Sequence, residues 1–242
     1  MKPDISIFFP AYNEEKNIQK IITDADSFLR ENANEYEILI IVYEGSSDHT
    51  IPITKELMKV NSRLKCVIQP KDRKGVGYAI KMGFQGARYP HIFYADSDNQ
   101  FDLNEFNKFL PYIDEYDIIA GYRLNRNQPF TRILTSHVYN LIVRMVFGIE
   151  AKDVDCAFRY VNRRVFDKVK LNCMLGLGTT EILVKAGRAG YKIKQIGVRH
   201  YARLAGQPVF EGNFLNLPRV SVVTDLLKEM AKLKRELKDG SQ

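Results

Sequence analysis

The residues best suited to chemistry are the acids of Asp96-Ser97-Asp98-Asn99-Gln100, two carboxylates one residue apart and followed by two amides. Hard cations such as Mg2+ and Mn2+ take oxygen ligands, and carboxylates at a strand end can set such a cation beside a substrate's phosphates. A cation there stabilises the charge that builds on a departing diphosphate. An Asp-x-Asp triplet is equally at home in a solvated turn or a helix cap, so its place in the chain has to decide. Here it directly follows the apolar segment His91-Ile92-Phe93-Tyr94-Ala95.

Lys74-Gly75-Val76-Gly77-Tyr78-Ala79 is a second candidate. Glycines let the backbone approach a ligand closely, and a helix N-terminus favours anions. A plain turn leading into a helix explains the segment equally well, and it is neither a P-loop nor a dinucleotide fingerprint. Arg123, Arg132, Arg159 and Arg203 flank expected elements beyond the acidic cluster. Guanidinium groups suit bidentate recognition of phosphate, although any single arginine is as easily a surface charge. The four histidines have no metal-ligand spacing, and no Ser-His-Asp or Cys-His arrangement suggests itself. An acceptor that is already a nucleophile, such as a phosphate monoester, would need no general base.

The elements that must position these groups alternate in the first half. Strands are expected at 5–9, 37–42, 64–68, 91–95 and 117–121, the second a near-continuous apolar run suited to a strand covered on both faces. Helices are expected at about 14–31, capped by Asn13, at 48–60 and at 77–87. This order implies right-handed crossovers and a mainly parallel sheet with helices on both faces. Ligands bind beyond the carboxyl ends of such strands. Tyr12-Asn13-Glu14, Glu44-Gly45-Ser46-Ser47-Asp48 and Asp96-Ser97-Asp98 all fall there. The second half is less regular, with helical stripes expected over 131–147 and 180–189, a strand over 191–198, and a basic amphipathic helix after Pro218.

Composition bounds the class. With 242 residues, 45% hydrophobic and 27% charged, the chain reads as a globular protein with a sizeable core. No apolar run approaches the ~18 residues that span a bilayer. Met1-Lys2-Pro3-Asp4 leads straight into a strand, so no leader peptide is expected. Three scattered cysteines suit neither a disulfide framework nor a zinc site, which favours a reducing, cytoplasmic setting. Net charge is +7, and from Glu181 onward 12 lysines and arginines face 6 acids. A basic end of this kind meets phosphorylated substrates or membrane surfaces, while the near-neutral remainder argues against a nucleic-acid partner.

As an ordered set, Phe9-Pro10-Ala11-Tyr12-Asn13-Glu14-Glu15, Gly45-Ser46-Ser47-Asp48-His49-Thr50, Lys74-Gly75-Val76-Gly77-Tyr78-Ala79 and Asp96-Ser97-Asp98-Asn99-Gln100 resemble family 2 glycosyltransferases, which have the GT-A fold. Asp153-Val154-Asp155-Cys156-Ala157-Phe158-Arg159 and His200-Tyr201-Ala202-Arg203-Leu204-Ala205-Gly206-Gln207 resemble the polyprenol-phosphate sugar transferases within it. The resemblance covers roughly residues 4–210. It implies a GT-A catalytic domain over 1–217 and a basic amphipathic helix over 218–242. Pro10, Tyr12, Glu14 and Glu44 would then contact the nucleotide, with Lys74 and Gly75 on the donor side. Asp96 would lie near the sugar and pyrophosphate, with Asp98 and Gln100 as ligands of Mg2+ or Mn2+. Arg123, Arg132 and Arg203 would grip the acceptor's phosphate, and one inverting displacement would move the sugar.

Two departures stand out. Tyr43-Glu44 occupies the place of the family's usual Asp-Asp, which leaves the base (GDP- or UDP-linked donor) open, and Ala157 replaces a glycine. Many relatives carry transmembrane helices, whereas here the segment from Pro218 to Lys238 would have to reach the headgroup layer or pack on the catalytic domain. The expected function is therefore transfer of a sugar from a nucleotide-sugar donor to a polyprenyl phosphate, at the cytoplasmic face of a membrane. Two alternatives stay open: transfer to a hydroxyl acceptor with Glu181 as general base, and a non-catalytic nucleotide-sugar-binding protein.

Overall fold

The computed structural model describes residues 2–124, 130–203 and 220–239; within these, the side chains of Phe130, Arg132, Val220 and Val222 lie outside the description. The first half alternates as its apolar pattern requires: β1 (Ile5–Ala11), α1 (Ile18–Asn32), β2 (Tyr36–Tyr43), α2 (Thr50–Val60), β3 (Leu64–Gln69), α3 (Val76–Gly86) and β4 (His91–Tyr94). Three 3-10 turns (Leu103–Lys108, Leu110–Tyr112 and Arg163–Asp167) join β5 (Ile118–Leu124), α4 (Phe130–Phe147), β6 (Arg159–Asn162), α5 (Gly178–Arg188), β7 (Ile193–Arg199) and α6 (Val220–Asp239).

The strands form one seven-stranded sheet in the order β3-β2-β1-β4-β6-β5-β7. Every pairing is parallel except those of β6, which runs against both β4 and β5. Successive side chains point to opposite faces. Ile5, Ile7 and Phe9 of β1 and Ile38, Ile40 and Val42 of β2 accordingly enter one core with α1, while Phe8, Leu39 and Ile41 enter the other with α3, α4 and α5. This two-sided burial is why β2 reads as a continuous apolar run.

Sheet order reverses between β1 and β4, since the chain steps outward through β2 and β3 and then returns to β1's other side. Ligands in open α/β sheets bind at such a switch point, beyond the carboxyl ends of the strands. That edge carries the segments after β1, β2, β3, β4 and β7, the end of β5, and the segment that enters the antiparallel β6.

Three expectations change. The first helix begins at Ile18, not Glu14, because the carbonyl of Glu14 accepts the N–H groups of Asn17 and Ile18 in a preceding turn. Asn13 is therefore no helix cap; it stands at φ 55° and its Oδ1 accepts the Ser47 N–H at 2.8 Å. The strand β6 was not expected. On α6, Leu226, Met230, Leu233 and Leu237 pack into the core with α3, α4 and α5, so this helix lies on the domain. Among the described residues no helix is long and apolar enough to cross a membrane.

Candidate functional site

The loops after β1 and β2 are stitched together before any ligand arrives. Thr50 Oγ1 accepts the Glu14 N–H at 2.8 Å and Asp48 Oδ2 accepts the Glu15 N–H at 2.9 Å. Hydrogen bonds from Thr50 and from backbone N–H groups hold the Asp48 carboxyl below its usual range, although partial burial pushes the other way. The loop after β4 joins them: Ser97 Oγ donates to the Pro10 carbonyl at 2.7 Å, and Asn99 Nδ2 to the Asn17 carbonyl at 3.1 Å. Asn99 takes φ 58°, a conformation asparagine tolerates better than most side chains.

These bonds bring three carboxylates to the switch point. Glu14 and Asp98 are both buried, and Arg203 Nη2 bridges them, donating to Glu14 Oε1 at 3.2 Å and Asp98 Oδ2 at 3.1 Å. Burial raises the Glu14 carboxyl above its ordinary value, against the pull of the Asn17 amide and the Arg203 charge. Asp96 is raised further, by burial and then by the negative charges of Asp98 and Asp155, with Arg123 and Arg203 opposing. Arg203 is delivered by β7 through a two-bond clasp, in which Gln100's carbonyl accepts the Tyr201 N–H at 2.8 Å and Gln100 Nε2 donates to the Tyr201 carbonyl at 3.0 Å. The same clasp fixes the plane of the Gln100 amide, whose oxygen a cation would need.

Among the described residues no group of three or more His, Cys, Asp or Glu side chains forms a ready metal cage. Mg2+ is commonly held by one or two carboxylates while substrate phosphates and water complete its sphere. Asp98, neighbouring Asp96 and the Gln100 amide make a hard, all-oxygen donor set, so the residues fit a divalent ion.

The arginines singled out in the sequence separate here. Arg203 faces the carboxylates. Arg123 is held edge-on by Asp153, Nε to Oδ2 at 2.8 Å and Nη2 to Oδ1 at 2.9 Å. Burial pulls the Arg123 guanidinium down, yet the bonds and charge of Asp153 hold it above its ordinary value. Its charge still reaches Asp96. Arg132 is in the first turn of α4, and its side chain lies outside the described residues. Arg159 is fully buried and donates to the carbonyls of Cys156 (3.0 Å), Val154 and Thr179. It is a strut and no reader of phosphate.

Around the donor side, the Tyr12 ring meets Tyr43 edge-on with centroids 5.7 Å apart. Tyr43 Oη donates to the Lys71 carbonyl at 3.1 Å, and Glu44 Oε2 accepts the Lys71 N–H at 3.2 Å. The departure Tyr43-Glu44 thus ties the loop after β3 to the end of β2. Lys74 is exposed beside Gly75. The two glycines of this segment answer to packing: a Cβ at Gly75 or Gly77 would stand 2.3 Å or 2.4 Å from the carbonyl oxygen of Met174 or Cys173. The N–H groups of Gly77 and Tyr78 donate to the carbonyls of Leu175 and Met174, so the first turn of α3 offers an anion fewer donors than the sequence suggests. Gly75 also stands at φ 129°. Gly75→Ala is expected to destabilise the chain by about 1–3 kcal/mol, read as a lowered midpoint in thermal or urea unfolding.

Glu181, the candidate base for a hydroxyl acceptor, is corrected. It has no exposed surface, its carboxylate accepts the N–H groups of Asn172 and Cys173, and Lys185 Nζ lies 2.6 Å away. A carboxylate so occupied cannot take a proton from a substrate. Sequence reasoning missed Asn17 and Glu229, and it quoted Asp48, Thr50 and Tyr201 only within motifs, without the roles they take here. Asp48-x-Thr50 carried a readable turn signal; Glu229 carried none.

A parallel-dominated sheet with carboxylates and an arginine at its switch point defines an α/β protein whose candidate ligand site lies beyond the carboxyl ends of its strands. The chain belongs to glycosyl transferase family 2, whose sequence profile matches residues 6–170. It is 28% identical over 207 residues to glycosyltransferase AglD of Haloferax volcanii, covering 81% of this chain and 32% of that protein. It is 27% identical over 219 residues to the dolichyl-phosphate beta-glucosyltransferase of Saccharomyces cerevisiae, covering 80% of this chain and 66% of the relative. It is 26% identical over 224 residues to the undecaprenyl-phosphate 4-deoxy-4-formamido-L-arabinose transferase of Proteus mirabilis, covering 92% and 66%. The chain therefore spans less than two thirds of the length of these relatives. Among solved structures, glucosyl-3-phosphoglycerate synthase of Mycobacterium tuberculosis, in complex with Mn2+, UDP and glucosyl-3-phosphoglycerate, shares the fold with a TM-score of 0.68 at 16% identity, over 95% of this chain and 80% of that one. The GT-A fold expected from the sequence is the fold observed.

Proposed function

We propose that this chain moves a sugar from a nucleotide-sugar donor to a polyprenyl phosphate, inverting the anomeric centre in one displacement. The relatives named for dolichyl-phosphate and undecaprenyl-phosphate transfer support the acceptor class. The observation that carries the reading is the Arg203 guanidinium, a group suited to phosphate, held beside Asp98 and Glu14 at the candidate donor site, together with the loss of Glu181 as a base. A phosphate monoester is anionic at neutral pH. Its oxygen attacks the anomeric carbon as the bond to the donor's diphosphate breaks, the nucleoside diphosphate leaves with the electron pair, and no proton has to be removed.

The residues divide the work. Tyr12 and Tyr43 offer an aromatic wall for the base, with Glu14, Glu44 and the Pro10 turn around the nucleotide. Mg2+ or Mn2+ held by Asp98 and Gln100 would supply charge to the diphosphate leaving group. Asp96 faces the sugar, and its raised carboxyl is ready to share a hydrogen bond with a sugar hydroxyl. Arg203 binds the acceptor phosphate, and by the family resemblance Arg132 joins it, while Arg123 stays on Asp153 and holds positive charge near Asp96. A lipid acceptor would hold the reaction at a membrane surface, on this reading its cytoplasmic face.

Arg203→Ala is expected to lower kcat/KM for polyprenyl phosphate by about 10²-fold, with Arg203→Lys between the two, because lysine keeps the charge and loses the fork. Steady-state rates with a short-chain polyprenyl phosphate and with a polyprenol of equal length check this. Wild-type preference for the free alcohol, or an unaffected Arg203→Ala variant, contradicts the acceptor assignment.

A further inference from the structure

The loop before α5 is held in an unusual way. Six consecutive backbone N–H groups, from Asn172 to Leu177, donate to two carboxylates. Glu181 takes Asn172 and Cys173. Glu229, on the facing side of α6, takes the other four: Met174 at 2.7 Å and Leu175 at 2.9 Å on Oε1, Gly176 at 3.2 Å and Leu177 at 3.1 Å on Oε2. Charge-assisted bonds of this kind are the strong ones, and a loop whose donors all converge on two fixed carboxylates has little freedom left.

The carbonyl side of the same loop faces the donor side of the site. Leu175 and Met174 accept the N–H groups of Gly77 and Tyr78, and the Met174 oxygen lies against Gly75. Gln69 Nε2 holds the Gly75 carbonyl at 2.9 Å. One peptide plane thus separates the Glu229 carboxylate from Lys74-Gly75. On its other flank the loop runs into the first turn of α5, where Thr179 accepts from Arg159 and Thr180 Oγ1 meets Tyr139 Oη at 3.1 Å.

We propose that Glu229 is a positioning residue for the donor side of the site, acting through the 174–177 loop on the Lys74-Gly75 turn, so that the docked C-terminal helix forms part of the transfer machinery. This rests on the transferase reading above. Glu229 touches no reacting atom. Its carboxylate sets where the loop's carbonyls stand, and these set the Lys74-Gly75 backbone, which on this proposal borders the nucleotide sugar through packing and position more than through free N–H donors. Glutamine at this position keeps the size but turns an NH2 group toward N–H donors, which breaks the convergence without emptying the space.

Glu236 supplies a matched control. It lies on the same helix and accepts from Asn172 Nδ2 and Lys185 Nζ at 3.1 and 3.0 Å, hydrogen bonds that lie outside residues 174–177. The experiment measures binding of UDP-glucose and GDP-mannose, each with Mn2+, to the full chain by calorimetry, with steady-state KM and kcat and a thermal melt for each variant. Glu229→Gln is expected to weaken binding of the nucleotide sugar that wild type accepts by about tenfold and to raise its KM alike, with kcat much less changed. Glu236→Gln is expected to stay within about twofold of wild type in affinity while lowering the melting temperature comparably. The proposal is overturned if Glu229→Gln binds as wild type does, or if both variants lose affinity in proportion to stability. A cooperatively melting wild type that binds neither nucleotide sugar overturns the transferase reading itself, and the proposal with it.

Discussion

Asp98→Ala is expected to abolish most of the proposed sugar transfer, lowering kcat/KM by about 10² to 10³-fold, the range that follows loss of one preorganised electrostatic contact to a developing charge. The expectation comes from geometry. Asp98 is buried at the switch point, its Oδ1 accepts the Gln100 N–H at 3.1 Å and its Oδ2 accepts from Arg203. Alanine removes the candidate cation ligand and leaves Arg203 with Glu14 alone. Asp98→Asn is the sharper variant, because it keeps the size and can still accept from Gln100 while surrendering the charge. Both are checked by steady-state rates over a Mn2+ titration, with Mn2+ affinity read separately by electron paramagnetic resonance and a thermal melt to show an intact fold. Rates within about threefold of wild type, with unchanged Mn2+ affinity, would remove Asp98 from the site.

The second large effect falls on stability. Arg159 has no exposed surface and its guanidinium satisfies three carbonyls from two different segments. Arg159→Ala removes the donors of all three buried oxygens and opens a cavity, so a loss of about 3–5 kcal/mol is expected. In a chain of this size that lowers the melting temperature by roughly 10 °C. Urea unfolding followed by circular dichroism measures it. A loss below about 1 kcal/mol would mean that the guanidinium is not the strut these contacts describe, and would return it to the set of phosphate readers.

The contrast between Arg159 and Arg203 shows what the sequence could and could not disclose. Both follow motif-like segments and both carry the same charge, so residue type and spacing did not part them, and only the resemblance set Arg203 apart. What separates them is β6, a four-residue strand whose antiparallel entry buries Arg159 while the parallel exit of β7 leaves Arg203 at the sheet edge. A strand that short has little periodicity to read. By contrast β1, β2 and β4 were legible, because burial on both faces writes itself as continuous apolar runs, and the acids after them had to fall on one edge once the crossovers were right-handed.

Contacts over long sequence separations were illegible for a different reason. Arg203 meets Glu14 across 189 residues and Glu229 reaches the 174–177 loop from 52 to 55 residues away. Neither pairing leaves a local pattern. Glu181 is the instructive case: an acid in the first turn of a helix reads as available, yet the helix faces inward and the carboxylate is spent on Asn172, Cys173 and Lys185. The Tyr43-Glu44 departure was visible, and its consequence, the tie to Lys71, needed the β2–β3 register to be known.

The central claim is that a phosphate oxygen, and no hydroxyl, receives the sugar. Its most direct test is to incubate the purified chain with Mn2+, a set of UDP- and GDP-linked hexoses and a polyprenyl phosphate, and to identify the lipid product by mass spectrometry and its anomeric configuration by NMR. The predicted result is a polyprenyl phosphohexose of inverted configuration, formed together with one nucleoside diphosphate and absent when the acceptor is the free polyprenol. Sugar found on a hydroxyl group, retained configuration, or no lipid product while the folded chain binds the donor would contradict it.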